Sequence, residues 1–284
     1  MCRFVAYKGH DIFLADLLNR SSQSLIRQSF KATKRAEPLN GDGFGVGWYA
    51  HEVDPVPCVF TSMQPAWANR NLKRLSDKIH STCVFAHVRA ASEGSLVTEL
   101  NCHPFQHKEF LWMHNGFIAD FAKIKRKLRN KLIDELYLDI DGTTDSEHAF
   151  ALFLNYLHRY RDNYNLDRLA AVLAKTIKKI VQWSPGEQQG LASHCNFAVT
   201  DGHSIVASRY ASGESEEPQS LYLARGTRFE VRDGQYRMIK RKGRVEAIII
   251  ASEPLTAAEE DWEPVPRNHI VTVSPEMHVK MKPI

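Results

Sequence analysis

The chain has 284 residues, of which 43% are hydrophobic and 25% charged, and its 37 Lys and Arg against 33 Asp and Glu give a formal charge of +4. This composition is that of an ordinary globular protein and excludes a fibrous or a disordered chain. No charged segment followed by an apolar stretch opens the chain, and no apolar run approaches the roughly 18 residues that span a bilayer. We therefore predict neither a secretory signal nor a membrane partner.

Cysteine and charge patterns limit the function further. The five cysteines are scattered and form no CxxC pair, which argues against a disulfide framework and a cysteine-rich zinc site. A reducing, cytoplasmic location is the expectation, with no metal and no cofactor. The dense basic runs KIKRKLRNK (123–131) and IKRKGR (239–244) contain no aromatic residues, so we interpret them as solvated surfaces and predict no nucleic-acid partner.

The N-terminal part of the chain predicts mainly strands. CRFVAY (2–7) is typical of a short buried strand, and DIFLADLL (11–18) of an amphipathic helical turn. LNGDGFGVGWYA (39–50) predicts a tight turn that leads into a strand, because its glycines allow close backbone approach. Further predicted elements are the strands CVFTS (58–62), TCVFAHVRA (82–90) and EFLWMHNGFI (109–118), the last ending in an Asn115-Gly116 turn, and a helix at WANRNLKRLSDKI (67–79).

Helices and then strands follow. Helical periodicity marks FAKIKRKLRNKL (121–132), DSEHAFALFLNYLHRY (145–160) and NLDRLAAVLAKTIKKIVQW (165–183), and Thr144 and Glu147 have capping-box spacing. The predicted strands after them are ASHCNFAVT, HSIVASRY, SLYLAR, FEVR, QYRMIK, VEAIIIAS and HIVTVS. Strands, helices and strands again indicate a layered α+β fold with at least one antiparallel sheet, in a single domain over residues 1–284.

Four polar features stand near the ends of predicted elements: Cys2, Arg89, Asn115-Gly116 and Asp145. Each has an ordinary structural interpretation on its own. Cys2 could be a small buried hydrophobe, Arg89 a partner of a surface carboxylate, Asn115-Gly116 a hairpin turn, and Asp145 a residue favoured at a helix start.

Together these residues supply the groups for acyl transfer from an amino-acid side chain. A cysteine that becomes N-terminal carries its own base, since an α-amine with a pKa of about 7.7–8.0 can accept the thiol proton. An Asn amide beside a Gly N–H can bind an oxyanion. Arg89 could bind an α-carboxylate and Asp145 an α-ammonium, which would leave the side-chain carbonyl at Cys2.

The order of seven motifs resembles the class II glutamine amidotransferases, a family of N-terminal nucleophile hydrolases. The motifs are MCRF, NGDGFGVGWY, AHVRA, NCHPF, MHNG, TDSE and IIASEPL. The resemblance implies a four-layer αββα sandwich, with Cys2 as nucleophile after loss of Met1. It also implies an oxyanion hole from Asn115 and Gly116, and substrate binding by Arg89 and Asp145.

The same resemblance implies that His103 and the turn Gly41-Asp42-Gly43 shape and brace the pocket without contacting the substrate. Family members that make amino sugars carry an aromatic residue after the binding arginine, where this chain has Ala90. The segments around MCRF, WMHNG and ASEPL are most similar to the stand-alone branch of the family. We therefore expect no acceptor domain, and a separate synthetase or hydrolase subunit is a possible partner.

Three functions stay open. The first is a glutaminase-type enzyme that cleaves glutamine through a Cys2 thioester and releases glutamate and ammonia. The second is a γ-glutamyl hydrolase that acts on glutathione-like or other γ-glutamyl compounds, with a larger amine as leaving group. The third is a catalytically silent binding module with the same fold, which retention of Met1 would favour because a blocked amine cannot act as a base.

Overall fold

The computed structural model describes residues 2–31, 39–91, 95–160, 163–185 and 190–284. In this part of the chain most strands belong to two antiparallel sheets. The first sheet has the strand order β13-β9-β12-β1-β4-β2-β3 and the second β15-β14-β8-β7-β6-β5, while β10 and β11 form a separate ribbon.

The strands have the following bounds. They are β1 (Arg3–Phe13), β2 (Phe44–Ala50), β3 (Asp54–Ser62), β4 (His80–Val88), β5 (Phe105–His107), β6 (Phe110–Phe117), β7 (His194–Thr200), β8 (Ile205–Arg209), β9 (Tyr222–Gly226), β10 (Arg228–Arg232), β11 (Gln235–Ile239), β12 (Ala247–Ala251), β13 (Glu263–Pro264), β14 (His269–Val273) and β15 (Val279–Pro283).

Helices cover the outer face of each sheet. They are α1 (Leu25–Phe30), α2 (Arg70–Ser76), α3 (Phe121–Arg129), α4 (Asp134–Leu138), α5 (Asp145–Leu157) and α6 (Leu166–Trp183). The longest, α6, presents one strongly apolar face. Thr144 is the N-cap of α5, and its Oγ1 accepts from the Glu147 N–H at 3.2 Å. None of the described helices is long and apolar enough to cross a membrane.

Three clusters of apolar side chains lie between the layers and pack them together. One lies between the second sheet and α3 to α6, and another packs α1 and α2 against the outer face of the first sheet. The third fills the space between the sheets, where Phe4 and Ala6 of β1 meet Leu111 and Met113 of β6. Side chains alternate between the two faces of a strand. The predicted four-layer αββα sandwich is therefore confirmed.

Two local predictions were wrong. Asp11, Ile12 and Phe13 continue β1 rather than starting a helix, because this stretch pairs with β4 after a bulge between Lys8 and Ile12. Asn115 and Gly116 do not form a turn. They lie inside β6, opposite Asn196 and Cys195 of β7.

Candidate active site

Strand register places Cys2 beside Arg89 at one end of the first sheet. Arg3 of β1 pairs with Val88 of β4, and Val88 also pairs with Phe44 of β2. Cys2 and Arg89 are therefore the next residues along their neighbouring strands. By alternation both share the face of Phe4 and Phe85, which are buried between the two sheets.

The Cys2 thiol is partly buried and donates to the Ala90 carbonyl oxygen across 3.5 Å. Burial raises the pKa of this thiol, and the negative charge of Asp145 raises it further, while the Ala90 hydrogen bond and the positive charge of Arg89 lower it. Because burial is the largest effect, the thiol is neutral at pH 7. A protonated thiol acts as a nucleophile only where a base takes its proton.

Arg89 is a buried guanidinium whose hydrogen-bond partners among the described residues are neutral. Its side chain donates to the Asp42 carbonyl oxygen at 3.4 Å, to Ser95 Oγ at 2.9 Å and to the Leu96 carbonyl oxygen at 3.1 Å. Among the described residues no carboxylate forms an ion pair with it. Burying an uncompensated charge is costly, so this guanidinium is suited to an external carboxylate.

Asn115 and Gly116 lie in β6 of the second sheet. Asn115 is fully buried, and its Nδ2 donates to Ser252 Oγ at 3.3 Å. Gly116 has φ of +152°, and an added Cβ would lie 2.0 Å from the His194 carbonyl oxygen. No side chain larger than hydrogen fits at that position without moving β7.

Asp145 joins the start of α5 to the end of β6. Its Oδ2 accepts from the Ile118 N–H at 2.7 Å, and its Oδ1 accepts from Ser146 Oγ at 3.2 Å. Asp145 raises the pKa of the Cys2 thiol and Arg89 lowers it, so charges of both signs act on this thiol. A substrate that carries both an ammonium and a carboxylate complements this pair.

The turn at Gly41-Asp42-Gly43 supports the strand end at Arg89. The Arg89 N–H donates to the Gly43 carbonyl oxygen at 2.8 Å, and Asp42 Oδ2 accepts from the Ala91 N–H at 2.8 Å. Gly43 has φ of +113°, and a Cβ there would lie 2.6 Å from Cys102 Sγ, while Gly41 packs closely against Trp67. The turn therefore contacts the Arg89 segment, and its role in shaping a pocket stays a prediction.

His103 lies between the two sheets, beside His87 of β4. Its ring is buried with its centroid 4.2 Å from that of His87, and its carbonyl oxygen lies so close to Gly45 that a Cβ would not fit. Neither ring nitrogen of His103 has a hydrogen-bond partner among the described residues. Burial lowers the pKa of His103 well below its ordinary value. This neutral ring packs against His87, which lies two residues before Arg89 in the sequence.

A buried ion pair that the sequence analysis did not predict holds β1, the strand that follows Cys2. Arg3 Nε donates to Glu253 Oε1 at 2.9 Å, and Arg3 Nη1 donates to Asn40 Oδ1. Both Arg3 and Glu253 are almost fully buried. The only sequence signal for this link is that its three members fall within the motifs MCRF, NGDGFGVGWY and IIASEPL.

Two buried histidines are neutral in the folded chain, so we expect the free energy of unfolding to fall in acid. Burial lowers the pKa of His87 to about 3 and that of His148 to about 4, and His148 Nε2 accepts a hydrogen bond from Arg129 Nε. Below a pH of about 6.5 the unfolded chain protonates these rings, whereas the folded chain does not. The free energy of unfolding therefore falls by about 1.4 kcal/mol for each ring at pH 5.5.

Urea unfolding at pH 5.5, 7.5 and 8.5 checks this prediction. Stability is expected to fall between pH 7.5 and 5.5, and these two histidines contribute no change between pH 7.5 and 8.5. His87→Gln is expected to remove part of the acid loss. Equal stability of the unmodified chain at pH 5.5 and 7.5 would contradict the prediction.

The fold and this site together define a class of protein. Two stacked antiparallel sheets lie between helical layers, and a cysteine directly precedes a central strand at the mouth between the sheets. This is the architecture of the N-terminal nucleophile hydrolases. In the described part of the chain no three His, Cys, Asp or Glu side chains converge as a metal site.

Sequence comparison gives the family. A profile of the class II glutamine amidotransferases matches residues 15–280. The probable glutamine amidotransferase DUG3 of Saccharomyces cerevisiae is 41% identical over 292 residues, which cover 96% of this chain and 82% of that protein. The γ-glutamyl-hercynylcysteine sulfoxide hydrolase of Mycolicibacterium smegmatis is 25% identical over 285 residues, and the alignment covers 100% of this chain and 100% of that protein. The chain belongs to the class II glutamine amidotransferases, which are enzymes.

Solved structures support the fold. A glutamine aminotransferase class-II domain protein from Silicibacter pomeroyi has a TM-score of 0.65 at 22% identity, covering 100% of this chain and 99% of that one. The glutamine phosphoribosylpyrophosphate amidotransferase of Bacillus subtilis has a TM-score of 0.60 at 14% identity, covering 99% of this chain and 49% of that one.

Proposed function

We propose that this enzyme hydrolyses γ-glutamyl amides through a thioester on Cys2, once Met1 has been removed. The observation that carries the proposal is the position of the thiol, at a strand end beside a buried guanidinium that has no carboxylate partner among the described residues. The α-amine of Cys2 accepts the thiol proton as Sγ attacks the side-chain carbonyl. The proton then passes to the leaving nitrogen, the C–N bond breaks, and water hydrolyses the thioester to glutamate.

Arg89 and Asp145 hold the glutamyl head group in this mechanism. The guanidinium exchanges its neutral partners Ser95 and Leu96 for the substrate carboxylate, which forms stronger, charge-assisted hydrogen bonds. The Asp145 carboxylate receives the α-ammonium. Burial at the mouth between the sheets strengthens both interactions, because the effective dielectric constant is lower there than in water.

Asn115 and Gly116 supply the oxyanion hole. Asn115 Nδ2 carries two hydrogens and gives one of them to Ser252 Oγ, so the second is available for the oxyanion. The Gly116 N–H is the proposed second donor. Such fixed donors stabilise the charge that develops on the substrate carbonyl oxygen during attack.

The two candidate functions differ in the leaving group, which is ammonia in the first and a larger amine in the second. Release of ammonia from glutamine is the first candidate, and the name of the DUG3 relative, a probable glutamine amidotransferase, supports it. An exposed apolar side chain beside Arg89 favours a larger leaving group as the second. Leu96, whose carbonyl oxygen contacts Arg89, is 63% exposed. The mycobacterial relative is named as a γ-glutamyl hydrolase, which fits this second candidate.

A substrate panel tests the proposal. Glutamate release is measured with glutamine, with glutathione and with N-acetylglutamine. Glutamine and glutathione present the same head group, so at least one of them is expected to be hydrolysed, and the ratio of their kcat/KM values identifies the leaving group. N-acetylation removes the cation that Asp145 binds and is expected to lower kcat/KM by about 100-fold.

Two results would contradict the proposal. Comparable turnover of glutamine and N-acetylglutamine would exclude the proposed role of Asp145. No turnover of any γ-glutamyl compound would favour the silent binding module. We also propose that residues 1–284 act as one cytoplasmic domain with a separate synthetase or hydrolase subunit as partner. If ammonia is the product, a synthetase subunit would consume it.

A further inference from the structure

Ser252 joins the two halves of the site across the space between the sheets. It follows β12 directly and is 1% exposed. Its Oγ accepts from the backbone N–H of Phe4 at 3.0 Å and from Asn115 Nδ2 at 3.3 Å. Phe4 lies two residues after Cys2, so one hydroxyl oxygen contacts both the nucleophile strand and the amide of the oxyanion hole.

The backbone of Ser252 is held as firmly as its side chain. Its N–H donates to the Phe4 carbonyl oxygen at 3.0 Å, and its carbonyl oxygen accepts from Ser220 Oγ at 2.8 Å. The hydroxyl position is therefore fixed to β1 from two directions. The Asn115 amide is oriented relative to that fixed point.

The Asn115 amide needs such an orienting contact. The terminal torsion of an asparagine side chain is broad, and its amide can present either oxygen or nitrogen to a given neighbour. Asn115 Oδ1 has no hydrogen-bond partner among the described residues, so the Nδ2 contact with Ser252 Oγ is the side-chain hydrogen bond that holds this amide in place there. If the amide were reversed, its oxygen would face the developing oxyanion and would repel it.

We propose that Ser252 is a positioning residue for γ-glutamyl hydrolysis. It keeps the Asn115 amide with nitrogen toward the reaction and keeps that amide in register with the strand that carries Cys2. This inference rests on the proposed function. It adds to that function a residue that touches neither the substrate nor the thiol.

Ser208 provides a matched control. It is a fully buried serine whose Oγ also accepts from a backbone N–H, that of Phe197 at 3.1 Å, and it donates to the Cys195 carbonyl oxygen at 2.8 Å. Both of its contacts lie within the second sheet. Ser208→Ala therefore removes a comparable buried hydroxyl without touching Asn115.

A double-mutant cycle tests the inference, with glutamate release followed for the unmodified chain, Ser252→Ala, Asn115→Ala and the double variant. Ser252→Ala is expected to lower kcat about 10- to 50-fold with KM changed less than about threefold, because the head-group contacts of Arg89 and Asp145 persist. In the Asn115→Ala background the same change is expected to cost less than about threefold. Ser208→Ala is expected to keep kcat within about threefold.

Each other outcome overturns a defined part of the account. A Ser252→Ala variant with unchanged kcat, or the same loss in both backgrounds, overturns the inference for Ser252 alone. An unmodified chain without turnover overturns the proposed function and this inference with it. If Ser252→Ala does not fold, Ser252→Cys, of similar size but a weaker acceptor, is put through the same cycle and is held to the same criteria.

Discussion

Cys2→Ala is expected to abolish glutamate release from γ-glutamyl substrates, with a loss of at least about 10⁴-fold in kcat. The thiol is the nucleophile that attacks the substrate amide in the proposed scheme. Because burial raises the pKa of this thiol, its attack depends on a base that accepts the proton directly. Alanine removes the sulfur and leaves the α-amine, the guanidinium of Arg89 and the oxyanion donors unchanged. Substrate binding is therefore expected to survive, which isothermal titration with glutamine on the inactive variant measures.

Cys58→Ala is the control for this prediction. Cys58 is an exposed cysteine of β3, and the same substitution there is expected to leave kcat and KM unchanged. Cys195→Ala, in the buried strand β7, controls for the loss of a thiol in the core. Residual activity of Cys2→Ala near that of the unmodified chain would rule out Cys2 as the nucleophile.

Asn115→Ala is expected to lower kcat by about 100- to 1000-fold while KM changes little. The amide acts on charge that exists only in the transition state, so its loss does not weaken binding of the ground-state substrate. Steady-state kinetics with the better substrate of the panel measures both constants.

Asn196→Ala is the matched control, because Asn196 lies opposite Asn115 in β7 and is equally buried. Its amide is already used within the protein, since Nδ2 donates to the Gln219 carbonyl oxygen and Oδ1 accepts from the Tyr210 N–H. We expect Asn196→Ala to reduce stability rather than kcat. Equal kcat losses in the two variants would show that Asn115 has only a structural role.

Periodicity and motif order predicted most of the fold. The helices at 145–157 and 166–183 and the strands at 80–88, 110–117 and 247–251 carry strong local patterns, and they form where these patterns indicate. Short edge strands such as β5, β13 and β15 were not predicted. Their residues have weak strand preferences, and pairing with a neighbouring strand decides their conformation.

The residues of the candidate site were predicted from the sequence, but the contacts between them were not. The sequence identified Cys2, Arg89, Asn115, Gly116 and Asp145 as candidates, and the structure brings Cys2 and Arg89 together at adjacent strand ends. An Asn-Gly dipeptide is locally typical of a turn, and only the pairing of β6 with β7 keeps it extended.

The contact of Ser252 with Asn115 joins residues 137 positions apart in the sequence, and that of Arg3 with Glu253 joins residues 250 positions apart. No local pattern encodes such a distance. The roles proposed for Asn115 and Ser252 are tested by the substitutions described above.

The central claim is that the residue at position 2 supplies both the attacking sulfur and the base, which requires the removal of Met1. Intact mass spectrometry and glutamate release, measured on the same preparation, test this claim most directly. The chain without Met1 is expected to be active, and a variant that keeps an uncleaved residue before Cys2 is expected to be inactive although it is folded. Full-rate hydrolysis by a chain whose mass shows that it retains Met1 would contradict the claim.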